Sequence, residues 1–216
     1  MGITPPVVPN FYTKISIFFE LHPALPGCYN QPMRKLIYAI NLTLDGCCDH
    51  TKVVVPDEEL YEYYTQLVRG ADMFVYGRIT YELMVPYWPD IARTHSGAKA
   101  ENDYADAFNA KKIIVFSRSL ESSTDKNATF LQGDLKEELL KLKQQEGGDI
   151  LTGGISIPAQ LTQLGLIDEF RFVITPTIVG EGRRLFDDLP LKERLRPRLV
   201  ESKVFGSGCV ALRYSK

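Results

Sequence analysis

The stretch ILTGGISIPAQL, residues 150–161, decides how the rest of the chain is read. An apolar run ends in Gly153 and Gly154, Ile155 and Ser156 follow, and a pattern at helical spacing begins. Where a parallel strand turns into a helix, the first helical N–H groups have no internal partner and carry partial positive charge. Glycine at that turn lets a phosphate reach backbone donors that a Cβ would screen. Gly153, Gly154, Ile155 and Ser156 are therefore a candidate diphosphate cradle, with Ser156 adding a hydroxyl or capping the helix. Taken alone, a glycine pair after a strand is more often a tight turn without a ligand, and the spacing is not GxGxxG.

Two more stretches repeat the arrangement. VYGRITYE (75–82) gives a strand, Gly77, and a helix whose first turn holds Thr80, with Arg78 placed to donate charged hydrogen bonds. VFSRSL (115–120) puts Ser117 and Arg118 at a third strand end. For each arginine singly, solvated surface charge is the plain alternative.

Outward from these strand ends, strands and helices alternate. KLIYAI (35–40) is a short apolar run of the kind buried parallel strands show. Residues 57–70 form a helix with Leu60, Tyr61, Tyr64, Leu67 and Val68 on one face, capped by Asp57 and stopped by Gly70. MFVYG (73–77) is a strand, TYELM (80–84) a short helix ending near Pro86, and 90–103 a polar loop leading into a helix with Tyr104, Ala107 and Phe108. KIIVFS (112–117) and ATFLQ (128–132) are strands. In DLKEELLKLKQQEGG (134–148), Leu135, Leu139 and Leu142 face inward and Glu137 is spaced to pair with Lys141. DILTGG (149–154) and EFRFVITP (169–176) are strands around a helix, PAQLTQLG (158–165). RLVESKVF and CVALRYS, joined by GSG, read as a hairpin. The sum is a three-layer α/β/α fold, a mostly parallel sheet with helices on both faces and a C-terminal antiparallel hairpin. Residues 1–32, with Pro5, Pro6, Pro9, Pro23, Pro26 and Pro32 and no periodicity, read as an irregular extension ahead of a domain spanning 33–216.

Composition narrows the function classes. The chain has 44% hydrophobic and 24% charged residues and a net charge of −2, so it lacks the basic surplus that nucleic-acid backbones attract. No apolar run approaches the roughly 20 residues that span a bilayer, and LPGC (25–28) only faintly matches a lipoprotein cleavage site. A cytoplasmic protein without membrane or nucleic-acid partners is expected. Cys28, Cys47, Cys48 and Cys209 show no CxxC spacing and read as free thiols of a reducing compartment. His22, His50 and His95 are scattered, and no metal is expected.

The stretches YAINLTLDG, YGRITYE, VFSRSL and ILTGGISIPAQLTQLGLIDEFRFVITPTIVGEGRRLF together resemble the dihydrofolate reductase superfamily. More narrowly, the chain is similar to the branch of the C-terminal reductase domain of the riboflavin-biosynthesis deaminase/reductase, over about residues 34–214. The succession GG, LIDEF, PTIVGEG and LF is its most specific part. The resemblance implies NADPH as cofactor. By motif, Gly77, Arg78 and Thr80 would face its phosphates, and Ser117 and Arg118 would sit near the adenosine ribose and its 2′-phosphate. Gly153, Gly154, Ile155 and Ser156 would bind the diphosphate, and Ala39 and Ile40 would border the nicotinamide. A homodimer is also implied. Two departures matter: the first helix carries no alignable acidic residue for a pterin ring, and the HxE…PCxxC zinc motif of the deaminase half is absent. The function implied is hydride transfer from NADPH to a small heterocycle, pterin-like or riboflavin-precursor-like. The alternative is a non-catalytic NADP(H)-binding sensor or interaction module.

Such chemistry also needs a proton. Asp45, in TLDG, is a candidate catalytic donor or simply a turn residue. Glu62 on the first helix reads as solvent-facing. Tyr81, Tyr87 and Trp88 are candidate substrate-pocket walls or core. Glu181 and Arg183, in VGEGRR, edge a substrate site or a plain loop.

Overall fold

The computed structural model describes residues 33–52, 56–187, 191 and 194–216; the expectations for residues 1–32, LPGC and Cys28 included, lie outside them. Eight strands carry the domain: β1 (Leu36–Thr43), β2 (Ala71–Gly77), β3 (Lys112–Phe116), β4 (Ala128–Leu131), β5 (Asp149–Thr152), β6 (Glu169–Thr175), β7 (Arg198–Val204) and β8 (Val210–Ser215). Between them run α1 (Glu58–Arg69), α2 (Arg78–Met84), α3 (Trp88–Thr94), α4 (Lys99–Asn109), α5 (Leu135–Gln144) and α6 (Ser156–Gln163).

The strands form one sheet in the order β4-β3-β2-β5-β1-β6-β8-β7. Pairing is parallel from β4 to β6; β8 runs antiparallel to β6 and to β7. The central strands are apolar on both faces, so alternate side chains feed two cores. Leu36, Tyr38, Val75, Ile114 and Ile150 pack with Leu139 and Leu142 of α5 and Leu161 of α6. Ile37, Phe74, Tyr76, Val115 and Leu151 pack on the other face with Val68 of α1 and Tyr104 and Phe108 of α4. The three-layer architecture with a C-terminal hairpin is thus the one its sequence periodicity implies.

Helix α1 starts where Asp57 accepts a hydrogen bond from the Leu60 N–H at 2.9 Å, and Glu58 and Glu59 follow in its first turn. Gly70 ends it in a right-handed helical conformation, without the left-handed turn common at such positions. Two local expectations are corrected. Residues 90–103 are not one loop: α3 occupies Trp88–Thr94 and α4 begins at Lys99. Pro89 in the first turn and Asp90 beside it favour that start, and α3 docks through Trp88, whose ring centroid lies 4.5 Å from that of Tyr104. Lys141 pairs with Glu138, at 2.7 Å, rather than with Glu137.

The strand order fixes where a ligand fits. From β2 the chain moves outward to β3; from β5, which lies between β2 and β1, it moves the opposite way to β6. In open α/β sheets, the crevice at the carboxyl ends of strands flanking such a reversal is where ligands bind. Gly153 and Gly154 stand directly after β5.

Candidate functional site

A cavity of about 390 Å³ opens at this reversal, on the sheet face covered by α1 and α4. Ala39, Ile40, Thr80, Gly153, Gly154, Ile155 and Ser156 all line it, as does Arg183. The structure therefore gathers most of the proposed cofactor residues around one space of the size small-molecule sites have.

The two glycines are built differently. Gly154 has φ +80°, and a Cβ there would stand 2.1 Å from Thr80 Oγ1. Both the turn and the close approach of α2 require it to be glycine. Its carbonyl accepts a hydrogen bond from the Tyr38 hydroxyl at 2.9 Å, which pins the turn to β1. Gly153 needs no left-handed backbone, and a Cβ there would meet Ala39 O at 3.5 Å and Tyr76 Cε1 at 3.6 Å, ordinary contacts. The fold does not demand glycine at 153; its missing side chain leaves room in the cavity.

Two helix starts abut beside this turn. A Cβ on Gly77 would lie 3.0 Å from Ile157 Cγ1 and 3.8 Å from Ser156 Oγ, so the beginnings of α2 and α6 touch. No side chain caps either first turn. Ser156 does not close its own helix, and the first-turn N–H groups retain their positive end.

Other expected residues stand apart from the cavity lining. Arg78 pairs with Glu82 at 2.7 Å along the exposed side of α2, so an anion would compete with that carboxylate. Ser117 is buried, and its Oγ accepts from the Leu120 N–H at 2.8 Å, fixing the turn after β3; Arg118 beside it is exposed. Tyr81 is core, its hydroxyl 2.5 Å from Ser123 Oγ. Trp88 packs among Tyr61, Tyr87 and Tyr104. For both aromatics packing is what the structure shows: Tyr81 lies edge-on to Phe130 of β4, Trp88 packs against Tyr104 of α4, and neither lines the cavity. Glu181 is exposed and paired with Lys52.

Asp45 acts as a loop anchor. Its carboxylate accepts from Thr43 Oγ1 at 2.6 Å, the Gly180 N–H at 2.9 Å and the Val179 N–H at 3.3 Å, tying the end of β1 to the 178–184 loop. Those donors, the Thr43 hydroxyl foremost, hold its pKa down at about 2. A group ionised across the neutral range has no proton to deliver, and Asp45 does not line the cavity. The proton-donor expectation is corrected in favour of the turn.

The cavity also contains residues that sequence reasoning missed. Tyr63 and Tyr64 of α1, Asn41 of β1, Cys48, His50 and Arg171 of β6 line it. The Tyr64 hydroxyl donates to Asn41 Oδ1 at 2.7 Å, and burial pushes its pKa well up, keeping it a neutral phenol. Arg171 had a readable signal: it is the one charged residue inside FRFVI, in a strand whose neighbours bury both faces. Among the described residues, no Asp or Glu lines the cavity, whereas two arginines, Arg171 and Arg183, do. Cys47, Cys48 and Cys209 are buried free thiols.

The strand order, the terminal hairpin and a cavity under the glycine turn define a dihydrofolate reductase-like α/β protein. The chain belongs to the RibD C-terminal domain family, whose pattern matches residues 34–211. It is 32% identical over 192 residues to the uncharacterized protein YyaP of Bacillus subtilis, covering 86% of this chain and 96% of that one. A pyrimidine reductase-like protein of Corynebacterium diphtheriae shares the fold, with a TM-score of 0.58, 15% identity, and coverage of 84% of this chain and 91% of that one. So does the diaminohydroxyphosphoribosylaminopyrimidine deaminase/5-amino-6-(5-phosphoribosylamino)uracil reductase of Thermotoga maritima, at a TM-score of 0.59 and 15% identity, covering 85% of this chain and 56% of that one.

Proposed function

We propose that this chain is an NADPH-dependent reductase that transfers a hydride to a small flat heterocycle, riboflavin-precursor-like or pterin-like. One observation carries the reading: two abutting, uncapped helix starts and a glycine turn open onto a cavity at the sheet's reversal point. The membership in a reductase family supports it. The residues fit the coenzyme, since the turn at Gly154 is a cradle that a Cβ would fill. Gly77, Thr80, Gly153, Gly154, Ile155 and Ser156 would hold the diphosphate, with Arg78 released from Glu82. Ser117 and Arg118 would meet the adenosine ribose and its 2′-phosphate. Ala39 and Ile40 would border the nicotinamide in the room left by Gly153. When bound, NADPH supplies the hydride.

The chain's own part is orientation and exclusion of water. Phe74, Tyr76, Tyr63, Tyr64 and Tyr104 give the cavity aromatic walls suited to a flat ring. With Asp45 tied to its loop and no carboxylic acid among the described lining residues, the reading assigns proton delivery to a solvent water. That same lack of an acid favours the second reading, a module that binds NADP(H) without turnover. The substrate wall moves from Tyr81, Trp88 and Glu181 to Tyr63, Tyr64 and Arg171. The reading includes a homodimer and a cytoplasmic location; among the described residues no helix is long and apolar enough to cross a membrane.

The test combines binding and turnover. NADPH should give a saturable calorimetric signal. Arg118→Ala should weaken it about tenfold, the effect of losing one charge-assisted contact, while leaving NADH unchanged. Oxidation of NADPH by any of a panel of pterins, pyrimidinediones and quinones supports the reductase. Binding without oxidation across the panel supports the module. Absence of binding to either coenzyme removes both.

A further inference from the structure

The glycine turn after β5 is held from the far face of the sheet. Tyr38 of β1 pairs with Thr152 of β5 on one side and with Phe170 of β6 on the other. Its ring belongs to the core under α5 and α6, where it packs with Leu161 and is 1% exposed. Phe172 and Phe170 meet it edge-on, with ring centroids 5.8 Å and 6.4 Å away. Packed this closely, the ring is a fixed post. Its hydroxyl reaches past the end of β5 and donates to Gly154 O at 2.9 Å. Burial pushes the Tyr38 pKa up, so the hydroxyl keeps its proton and stays a donor.

The consequence lies one atom further along the chain. The peptide between Gly154 and Ile155 is trans, so its C=O and N–H point in opposite directions. With the carbonyl drawn toward Tyr38, the Ile155 N–H points away from it. Gly154, Ile155 and Ser156 line the cavity, whereas Tyr38 does not. The hydrogen bond therefore turns an N–H, rather than a carbonyl oxygen, to the space the coenzyme would occupy. Ile155 directly precedes α6, and its own carbonyl accepts the first helical bond, from the Ala159 N–H at 2.9 Å. The N–H of the turn and those of the uncapped helix start can then act on one anion.

Glycine at 154 makes this orientation a choice. Without a Cβ, the backbone tolerates both directions of the peptide that follows. In the reverse direction the carbonyl oxygen would face the cavity and repel a phosphate, and the Tyr38 hydroxyl would be buried without its acceptor. Thr152 Oγ1 donates to Val75 O at 2.8 Å and ties the end of β5 to β2, two residues short of this peptide.

Resting on the reductase reading, we infer that Tyr38 is a positioning residue for the coenzyme: from the opposite face of the sheet, its hydroxyl sets the 154–155 peptide so that the Ile155 N–H meets the diphosphate. Tyr38 touches no ligand itself. Coenzyme affinity scales with the fraction of molecules whose turn has this orientation, and the phenol keeps that fraction high.

Calorimetry with NADPH on the full chain, run well below the melting temperature, tests this against a control. Tyr38→Phe keeps the ring and removes only the hydroxyl. It should weaken NADPH roughly fivefold, the population shift that one lost hydrogen bond permits. Thr162→Val removes a different buried hydrogen bond, from Thr162 Oγ1 to Pro158 O at 2.7 Å within α6, and should leave NADPH affinity unchanged. It reports what plain destabilisation of that helix does to binding. In the parent chain, the Ile155 amide proton should move downfield as NADPH is added, because it gains an anionic acceptor. The inference is overturned if Tyr38→Phe binds NADPH like the parent, if Thr162→Val weakens it as much, or if the Ile155 amide does not move downfield. A parent chain that binds no NADPH removes the reductase reading first, and this inference with it.

Discussion

Gly153 and Gly154 are neighbours, and only one of them serves the backbone. Gly154→Ala would place a methyl 2.1 Å from Thr80 Oγ1 at a left-handed φ. It should cost about 1–2 kcal/mol from the backbone alone, more with the clash, read as a lower urea midpoint. Gly153→Ala meets ordinary contacts, so its stability should hold or rise by up to about 0.4–1 kcal/mol, the gain from a less flexible unfolded chain, read as an equal or higher urea midpoint. Its NADPH affinity should nonetheless fall roughly tenfold, because the methyl enters space the coenzyme would need. If Gly153→Ala binds NADPH like the parent chain, that glycine does not serve the ligand. Asp45 makes a second residue-scale case. Its folded pKa, about 2, lies below the ordinary carboxylate value, so its anchoring is complete above pH ~4 and fades as pH falls toward 2. Amide-exchange protection of Val179 and Gly180, corrected for intrinsic rates, should follow that curve. In Asp45→Asn it should be low at every pH.

At the scale of elements, what could be read from sequence followed periodicity. Apolar runs located β1 to β6 and the GSG turn the last two strands, and the helical faces of residues 57–70 and 134–148 matched α1 and α5; the expected cap Asp57 accepts a backbone hydrogen bond, and so does Asp134 at the start of α5. Helix α3 was missed because it buries no residue fully and shows polar character on most sides. Only the Trp88–Pro89–Asp90 start announces it. The strand-end part of the cavity lining was legible because strand ends occur at predictable places. The rest of the lining was not. It is assembled from α1, β1 and β6, elements far apart in sequence, and Tyr63 and Arg171 gain meaning only when the sheet order sets them around one space. Asp45 misled for a related reason: its partners, Val179 and Gly180, come from a loop some 135 residues away.

The whole molecule ends in an edge. Strand β7 closes the sheet, all seven of its residues are exposed, and Leu199, Val200 and Val204 are among the exposed large apolar side chains. Among the described residues no strand pairs with its outer side, and an edge of that length is a template for pairing with another chain. The expected occupant is a second copy of this protein. Light scattering on the parent chain should give twice the monomer mass. Val204→Lys, at a position 71% exposed, should shift that mass toward the monomer without lowering the yield of folded protein. A monomeric parent chain would remove the homodimer from the functional reading.

The central place of β5 also governs how the molecule comes into being. Strands β1 and β2 are made early, yet neither pairs with the other; β2 gains β3 on one edge, while its other edge and the whole of β1 wait for later strands, first the segment at 149–152 that slots between them. On a ribosome delivering the chain from its N-terminus, β1 must therefore remain without a strand partner while about a hundred residues are synthesised. The glycine turn at the end of β5 arrives with the strand that joins the halves, so the cavity at that turn cannot exist before they are joined.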